Sequence, residues 1–122
     1  MAHVLVCEDE PDILALIVAR LTREGHEVTT ATDGAEGLRI ALERPHDLLL
    51  VDWMMPGLSG LEVCTALRAH PAARSLPVIM LTARAQQSDI DAAFAAGVDD
   101  FVIKPFRAGE LQSRVAALLA RA

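Results

Sequence analysis

The sequence predicts an α/β protein in which a five-stranded parallel sheet is covered by helices on both faces. Short apolar or β-branched runs alternate with longer segments rich in Ala, Leu, Glu and Arg, whose apolar residues recur at helical spacing. This alternation favours right-handed βαβ crossovers, which make neighbouring strands parallel. With 122 residues, of which 52% are hydrophobic, the chain suffices for one packed domain but not for two.

The predicted strands differ in how their apolar residues are arranged. The runs 48–51 and 78–81 are continuously apolar, as in central strands buried on both sides, whereas 26–30 alternates like an edge strand. We therefore expect the first, third and fourth strands in the interior of the sheet. The predicted strands cover residues 3–7, 26–31, 47–53, 77–82 and 99–104, and the predicted helices cover residues 11–24, 34–44, 60–69, 86–96 and 107–121.

Composition and charge exclude several classes of protein. No apolar run approaches the roughly 20 residues that span a bilayer, and the N-terminus lacks a secretory pattern, so we expect a cytoplasmic protein without membrane contact. The net charge of -6 opposes direct binding to nucleic acid. Cys7 and Cys64 lie in apolar contexts without Cys or His at ligand spacing, so we expect buried, reduced thiols.

Polar side chains lie at the carboxyl ends of four predicted strands, where ligands bind in open parallel sheets. The acidic residues Glu8, Asp9 and Glu10 follow the first strand. Asp52 lies near the end of the third strand, Thr82 ends the fourth and Lys104 ends the fifth. Most of them alone have a structural explanation, because acidic residues before a helix and Thr can cap it and a lysine can end a strand in solvent. Asp52 is harder to explain in this way, because a charge beside a buried apolar run is costly unless it is paired or metal-bound. Together they indicate a single site.

The chemistry of this set indicates a metal ion and a phosphoryl group. Glu8, Asp9 and Asp52 would repel one another in a partly desolvated pocket, so they require a cation. Oxygen donors without His or Cys suit Mg²⁺, with Mn²⁺ as the alternative ion, rather than zinc or copper. Thr82 and Lys104 would then bind phosphoryl oxygens, with a carboxylate as the nucleophile.

Four motifs give the whole chain a resemblance to bacterial response-regulator receiver domains of two-component systems. They are Glu8-Asp9 after the run 4–7, and the segments 51–60 (VDWMMPGLSG), 77–83 (PVIMLTA) and 97–106 (GVDDFVIKPF). The resemblance implies one receiver domain at residues 1–122, with a flavodoxin-like fold and the strand order 2-1-3-4-5. It also implies a phosphorylation-activated switch that catalyses only its own phosphorylation and dephosphorylation.

The resemblance implies a role for each acidic residue of the site. Asp52 would accept a phosphoryl group from a phosphohistidine of a sensor histidine kinase or phosphotransfer protein. Asp9, Asp52 and the backbone carbonyl of Met54 would coordinate Mg²⁺, while Glu8 would act mostly through water.

The resemblance also implies how the phosphoryl group is recognised. Thr82 and Lys104 would bind its oxygens, and the peptide between Lys104 and Pro105 would be cis. Ala83 is small enough to leave a path to the nucleophile. Phe101 occupies the position of an aromatic switch that turns inward when Thr82 moves, and it must act through packing because it has no hydroxyl group.

Two further positions are expected to set the lifetime of the phosphoryl group, because they flank the path of attacking water. Met54 lies two residues after Asp52, and Arg84 lies two residues after Thr82. Met54 is bulky and apolar, and Arg84 can donate hydrogen bonds to phosphoryl oxygens. Both side chains should hinder hydrolysis.

The last part of the chain is similar to receivers of the winged-helix transcription-factor subfamily, which dimerise through the fourth helix, fifth strand and fifth helix. Asp100 and Arg114 match one cross-dimer ion pair of that subfamily, whereas two other pairs are missing. Ile90, Phe94 and Val115 make the same face apolar. This face is expected to be either a partner surface, including a homodimer contact, or the inner edge of two amphipathic helices.

The leading functional hypothesis is a signalling switch that controls an output domain or a protein partner. A small Mg²⁺-dependent phosphatase with an aspartyl nucleophile is the alternative, but such enzymes carry a second aspartate where this chain has Met54. A flavin-mononucleotide carrier of the same topology needs a Ser/Thr/Gly-rich loop after the first strand. The acidic segment 8–10 takes the place of that loop.

Overall fold

The ten predicted elements form in the predicted order, and each observed boundary lies within one residue of the predicted one. A computed structural model describes residues 1–121, apart from the side chain of residue 108. No helix in these residues is long and apolar enough to cross a membrane. The elements are β1 (His3–Cys7), α1 (Pro11–Arg23), β2 (Glu27–Ala31), α2 (Gly34–Glu43), β3 (Leu48–Asp52), α3 (Gly60–Arg68), β4 (Val78–Thr82), α4 (Gln87–Ala95), β5 (Asp100–Ile103) and α5 (Ala108–Ala120).

The five strands run parallel in the order β2-β1-β3-β4-β5, which confirms the predicted topology. β1, β3 and β4 are interior strands, as their apolar sequences predicted. The register pairs Cys7 with Val51, and it pairs Asp52 with Leu81. The carboxyl ends of these strands therefore lie side by side at the edge of the sheet where ligands bind in this architecture.

Alternate residues of the interior strands pack against opposite layers of helices. Val4 and Val6 of β1 belong to the core layer that includes residues of α1 and α5, whereas Leu5 and Cys7 belong to the layer that includes residues of α2, α3 and α4. Burial on both faces explains why these strands are continuously apolar. Cys7 and Cys64 are free and buried, as predicted. Burial raises the pKa of the Cys7 thiol to about 12, so this thiol stays protonated.

The start of α3 approaches the end of β3 closely. The hydroxyl of Ser59 accepts a hydrogen bond from the Glu62 N–H, and the Glu62 carboxylate accepts one from the Ser59 N–H, which forms a capping box. The next residue, Gly60, donates its N–H to the Trp53 carbonyl at 2.8 Å. A Cβ at Gly60 would overlap the carbonyl oxygen of Asp52, so glycine permits this approach.

We expect Gly60→Ala to lower the free energy of unfolding by about 1–3 kcal/mol, because the added methyl group meets rigid backbone. Gly109→Ala in α5 is the matched control, since an added Cβ there meets nothing within 4 Å. This control should stabilise the protein by up to about 1 kcal/mol through helix propensity. Urea unfolding measures both variants, and a Gly60→Ala protein as stable as wild type would contradict the close approach.

Candidate functional site

An ion-pair cluster occupies the carboxyl edge of the sheet. The Lys104 ammonium donates to Asp52 Oδ2 at 2.8 Å and to Glu8 Oε1 at 2.9 Å, and it lies 3.7 Å from Glu10 Oε1. Glu8 is fully buried and Asp52 is 4% exposed. Buried carboxylates need a paired cation, because the protein interior solvates their charge poorly. Lys104 therefore pairs with two carboxylates, one at the end of β3 and the other directly after β1.

The order of the strands explains how Lys104 reaches this position. Its backbone N–H donates to the Thr82 carbonyl at 2.8 Å, which places the residue at the end of β5 beside β4. The flexible four-carbon side chain then crosses the end of β4 to reach Asp52 on β3. The same ammonium reaches Glu8 after β1. The peptide between Lys104 and Pro105 is cis, as the resemblance implied.

The electrostatics of the cluster favour a proton or a further cation at Glu8. Burial is the main reason that the pKa of Glu8 rises from 4.5 to about 7, with the bond from Lys104 opposing the rise and Asp52 adding to it. Burial disfavours the charged form of Lys104, but the hydrogen bonds from Lys104 to Asp52 and Glu8 outweigh this effect. The pKa of Lys104 is therefore raised. The cluster therefore retains the Lys104 charge while holding an excess of acidic groups.

Of the three acidic residues after β1, Glu8 and Glu10 belong to the cluster and Asp9 does not. One carboxylate oxygen from each of Glu8, Glu10 and Asp52 lies within 4.8 Å of the others. Asp9 is half-buried. Glu10 occupies the N-cap position of α1, but its side chain makes no cap hydrogen bond. The helix-capping explanation of this acidic segment therefore fails for the Glu10 side chain.

The donor set fits a hard divalent cation. It consists of carboxylate oxygens around one ammonium group, and such oxygens suit Mg²⁺ or Mn²⁺ better than the softer metals. The Met54 side chain is 63% exposed, so its predicted contribution rests on its backbone carbonyl alone. The coordination by Asp9 and Met54 stays a prediction.

Thr82 is buried at the end of β4, beside the strand that carries Asp52. Its hydroxyl oxygen accepts a hydrogen bond from the Arg84 backbone N–H at 2.8 Å. Such a bond between a hydroxyl group and the backbone two residues later stabilises a turn. The turn separates Thr82 from α4, whose N-cap is Gln86, so Thr82 does not cap that helix.

The sequence pattern of the response regulator receiver domain family matches residues 4–116 of this chain. The chain belongs to this family. A receiver of this kind is a signalling domain of two-component response regulators, which confirms the predicted family and the coarse function. The chain is 46% identical over 122 residues to the phosphate regulon transcriptional regulatory protein PhoB of Rhizobium meliloti. The aligned region covers 100% of this chain and 54% of that relative, so the receiver spans about half the length of the curated protein.

Solved structures agree with the family. A putative response regulator from Chloroflexus aurantiacus superposes with a TM-score of 0.92 at 34% identity over 98% of both chains. The receiver domain of a sensor histidine kinase from Pseudomonas aeruginosa superposes with a TM-score of 0.90 at 34% identity, also over 98% of both chains. That structure has a magnesium ion coordinated in its active site cleft. The flavodoxin-like fold is thereby confirmed.

Phe101 and Arg84, a predicted switch residue and a predicted lifetime residue, make specific contacts in the receiver. Phe101 is half-buried against a core layer, and its ring meets the ring of Phe94 in an edge arrangement with centroids 6.1 Å apart. The Arg84 guanidinium lies 4.6 Å from the centre of the Trp53 ring and pairs with Asp89 at 2.9 Å. The roles of Phe101, Met54 and Arg84 stay predictions.

The predicted interaction face is only partly exposed. Phe94 is exposed and Ile90 is half-buried, but Val115 is 3% exposed and packs in the core layer that includes residues of α1 and α5. Val115 therefore belongs to the inner edge of α5, which is the second of the two expected alternatives, and not to a partner surface. Arg114 binds both carboxylate oxygens of Asp100 at 2.8 and 3.0 Å within one chain. Arg114 and Asp100 therefore form this ion pair within a single chain, without a dimer partner.

Three residues of the site and its surroundings were not assigned to it from the sequence. Glu10 was placed at the strand end with Glu8 and Asp9, but it was not counted among the carboxylates of the metal site. Trp53 was not assigned a role, although it follows Asp52 directly and receives the Arg84 guanidinium. Asp89 had only the weak signal of an acidic residue in the first turn of a helix.

We expect the free energy of unfolding of the metal-free receiver to fall as the pH rises from about 5 to about 7. The folded chain holds the Glu8 proton more tightly than the unfolded chain, because the pKa rises from 4.5 to about 7 on folding. This contribution is full below the unfolded pKa and is lost as the pH rises through the folded pKa. The expected loss over this interval is on the order of 2 kcal/mol.

Urea unfolding at a series of pH values, with a chelator present, measures this dependence. Glu8→Gln has no titrating group at this position, so it should remove this part of the pH profile. Glu24→Gln at an exposed position is the matched control and should retain it. A Glu8→Gln profile as steep as that of wild type would show that another group causes the dependence.

Proposed function

We propose that this receiver is a phosphorylation-activated switch of a two-component system and that Asp52 is its phosphoryl acceptor. The observation that carries the proposal is the placement of the Asp52 carboxylate, which is buried at the end of β3 and bonded to Lys104 beside Glu8. A carboxylate can accept a phosphoryl group covalently. An adjacent cation stabilises the charge that develops during transfer.

In the proposed reaction, Asp52 attacks the phosphorus of a phosphohistidine on a sensor histidine kinase or a phosphotransfer protein. The bond between phosphorus and the imidazole nitrogen breaks as the aspartyl bond forms. The Lys104 ammonium, which binds Asp52 and Glu8 in the free receiver, donates to one phosphoryl oxygen. The Thr82 hydroxyl donates to another.

The excess of acidic groups supports a metal requirement for this reaction. Asp9, Asp52 and the Met54 carbonyl would hold Mg²⁺ or Mn²⁺, with Glu8 acting through water. When bound, the ion would supply positive charge that offsets the charge of the carboxylates and of the phosphoryl group. This chain orients the acceptor and keeps it out of bulk solvent, since Asp52 is buried.

Phosphorylation is proposed to change the surface formed by α4, β5 and α5. Lys104 directly follows β5, and Phe101 lies within that strand, so movement of Lys104 toward the phosphoryl group acts on this element. The changed surface would bind an output domain, a protein partner or a second copy of the receiver. A dimer that uses Asp100 and Arg114 across its interface must first open the pair within each chain. The net charge of -6 supports an output without direct nucleic-acid contact.

Asp52→Asn is expected to abolish covalent phosphorylation while retaining the fold, because an amide keeps the shape of the side chain but does not attack phosphorus. The receiver is incubated with acetyl phosphate and Mg²⁺, and intact mass spectrometry then detects a labile gain of one phosphoryl group. Asp12→Asn, at an exposed position in the first turn of α1, is the matched control and should behave as wild type. Phosphorylation of Asp52→Asn at the wild-type rate would refute the assignment of the acceptor.

Lys104→Ala is expected to allow some phosphorylation but to uncouple it from the surface change, because this side chain links the acceptor to β5. Amide hydrogen exchange of α4, β5 and α5, measured with and without acetyl phosphate, reports the coupling. Arg107→Ala, an exposed cation close in sequence, serves as the control. If the phosphorylated Lys104→Ala protein shows the wild-type change in exchange, Lys104 does not transmit the signal.

The double variant Met54→Asn with Arg84→Ala is expected to speed loss of the phosphoryl group about tenfold, equivalent to roughly 1.4 kcal/mol of barrier. The physical reason is that both side chains are proposed to hinder the attacking water. Single-turnover decay with Mg²⁺ saturating and the phosphoryl donor removed gives the rate. Arg39→Ala, which breaks an exposed ion pair with Glu43, is the control. A double variant that decays no faster than wild type would contradict the shielding role.

A further inference from the structure

Arg84 connects three parts of the receiver that surround the acceptor. Its backbone N–H donates to the Thr82 hydroxyl oxygen at 2.8 Å. Its guanidinium carbon lies 4.6 Å from the centre of the Trp53 ring, and a guanidinium nitrogen lies 2.9 Å from Asp89 Oδ1. Trp53 directly follows Asp52, and Asp89 lies in the first turn of α4. Arg84 thus contacts Thr82, which is proposed to bind the phosphoryl group. It also contacts the end of the strand that carries Asp52 and the first turn of α4.

The α4 helix depends on these contacts more than a deeply packed helix would. Ala93 is its one buried residue among those that the structure describes. The N-cap residue Gln86 makes no side-chain hydrogen bond to the first turn. The ion pair between Arg84 and Asp89 is therefore a main side-chain interaction that holds the start of α4 to the loop after β4. A helix with few buried residues can be displaced at a low cost in free energy once such an ion pair breaks.

We propose that Arg84 is a positioning residue that latches α4 in the unphosphorylated arrangement and releases it when the Thr82 hydroxyl turns toward a phosphoryl group on Asp52. This inference rests on the proposed function. Rotation of the hydroxyl toward the acceptor takes it away from the Arg84 N–H, which loosens the turn that holds the guanidinium over Trp53. The ion pair with Asp89 then loses its fixed geometry, and α4 is free to shift.

Breaking the ion pair between Arg84 and Asp89 by mutation should have a specific effect. Asp89→Ala removes the tie to α4 but leaves the Arg84 guanidinium available for its proposed role in phosphoryl lifetime. An ion pair of this exposure holds a modest free energy, so its loss should raise the population of the released form and the rate of phosphorylation about two- to fivefold. Asp91→Ala is the matched control, because Asp91 lies on the same helix and binds only the exposed Gln87 among the described side chains.

Trp53 reports the state of the latch directly, because it is the single tryptophan of the sequence. It is 5% exposed in the latched form, so acrylamide should quench its fluorescence poorly. We expect quenching to increase when wild type is phosphorylated with acetyl phosphate and Mg²⁺. We also expect increased quenching in unphosphorylated Asp89→Ala, but not in Asp91→Ala. Intact mass spectrometry measures the extent and rate of phosphorylation in the same samples.

The outcomes separate the latch from the function on which it rests. Failure of wild type to gain a phosphoryl group would overturn the proposed function and the latch together. Phosphorylation of wild type without a change in Trp53 quenching would overturn the latch alone. A lower melting temperature of Asp89→Ala without a change in quenching or phosphorylation rate would show a merely structural ion pair and would also overturn the latch.

Discussion

The arrangement of the site depends on the Lys104 ammonium, which pairs with two buried carboxylates, Asp52 at the end of β3 and Glu8 directly after β1. Without this charge, Asp52 and Glu8 would remain buried beside each other with no cation, which is a large energetic penalty. With it, the net gain in stability is small, because desolvation offsets much of the attraction. The ion pairs of Lys104 therefore contribute little to the stability of the fold, and they suit a lysine that exchanges one oxygen acceptor for another. A phosphoryl group on Asp52 would offer the lysine new oxygens at the same place.

Two routes lead from this cluster to α4, and both follow from the order of the strands. One runs from Lys104 into β5, where Phe101 meets Phe94 of α4. The other runs from Thr82 through Arg84 to the first turn of α4. β4 and β5 are neighbours, so the proposed phosphorylation of Asp52 would act on the same helix from two sides. Few buried residues anchor that helix, and a weakly packed element is the part of a fold most easily displaced.

Sequence patterns predicted the strands and the strand-end residues because both obey local rules. Buried parallel strands are continuously apolar, and a charged residue beside such a run, as Asp52 is, needs a functional or structural partner. The partners themselves were harder to predict, because the ion pair of Arg84 with Asp89 depends on side-chain rotamers in a loop. The sequence left open whether Val115 is buried, because helical periodicity gives the direction of a face, whereas the width of the buried stripe depends on packing against the sheet.

The most direct test of the account is a crystal structure of the receiver with Mg²⁺ and beryllium trifluoride, a mimic of a phosphoryl group. We predict that the mimic is bound to Asp52, that the Lys104 ammonium has left Glu8 for a fluoride atom, and that the Thr82 hydroxyl faces the mimic. An Asp52 carboxylate without the mimic at saturating concentration, or a mimic bound to Asp52 while Lys104 keeps its bond to Glu8, would contradict the exchange of partners at the centre of the account.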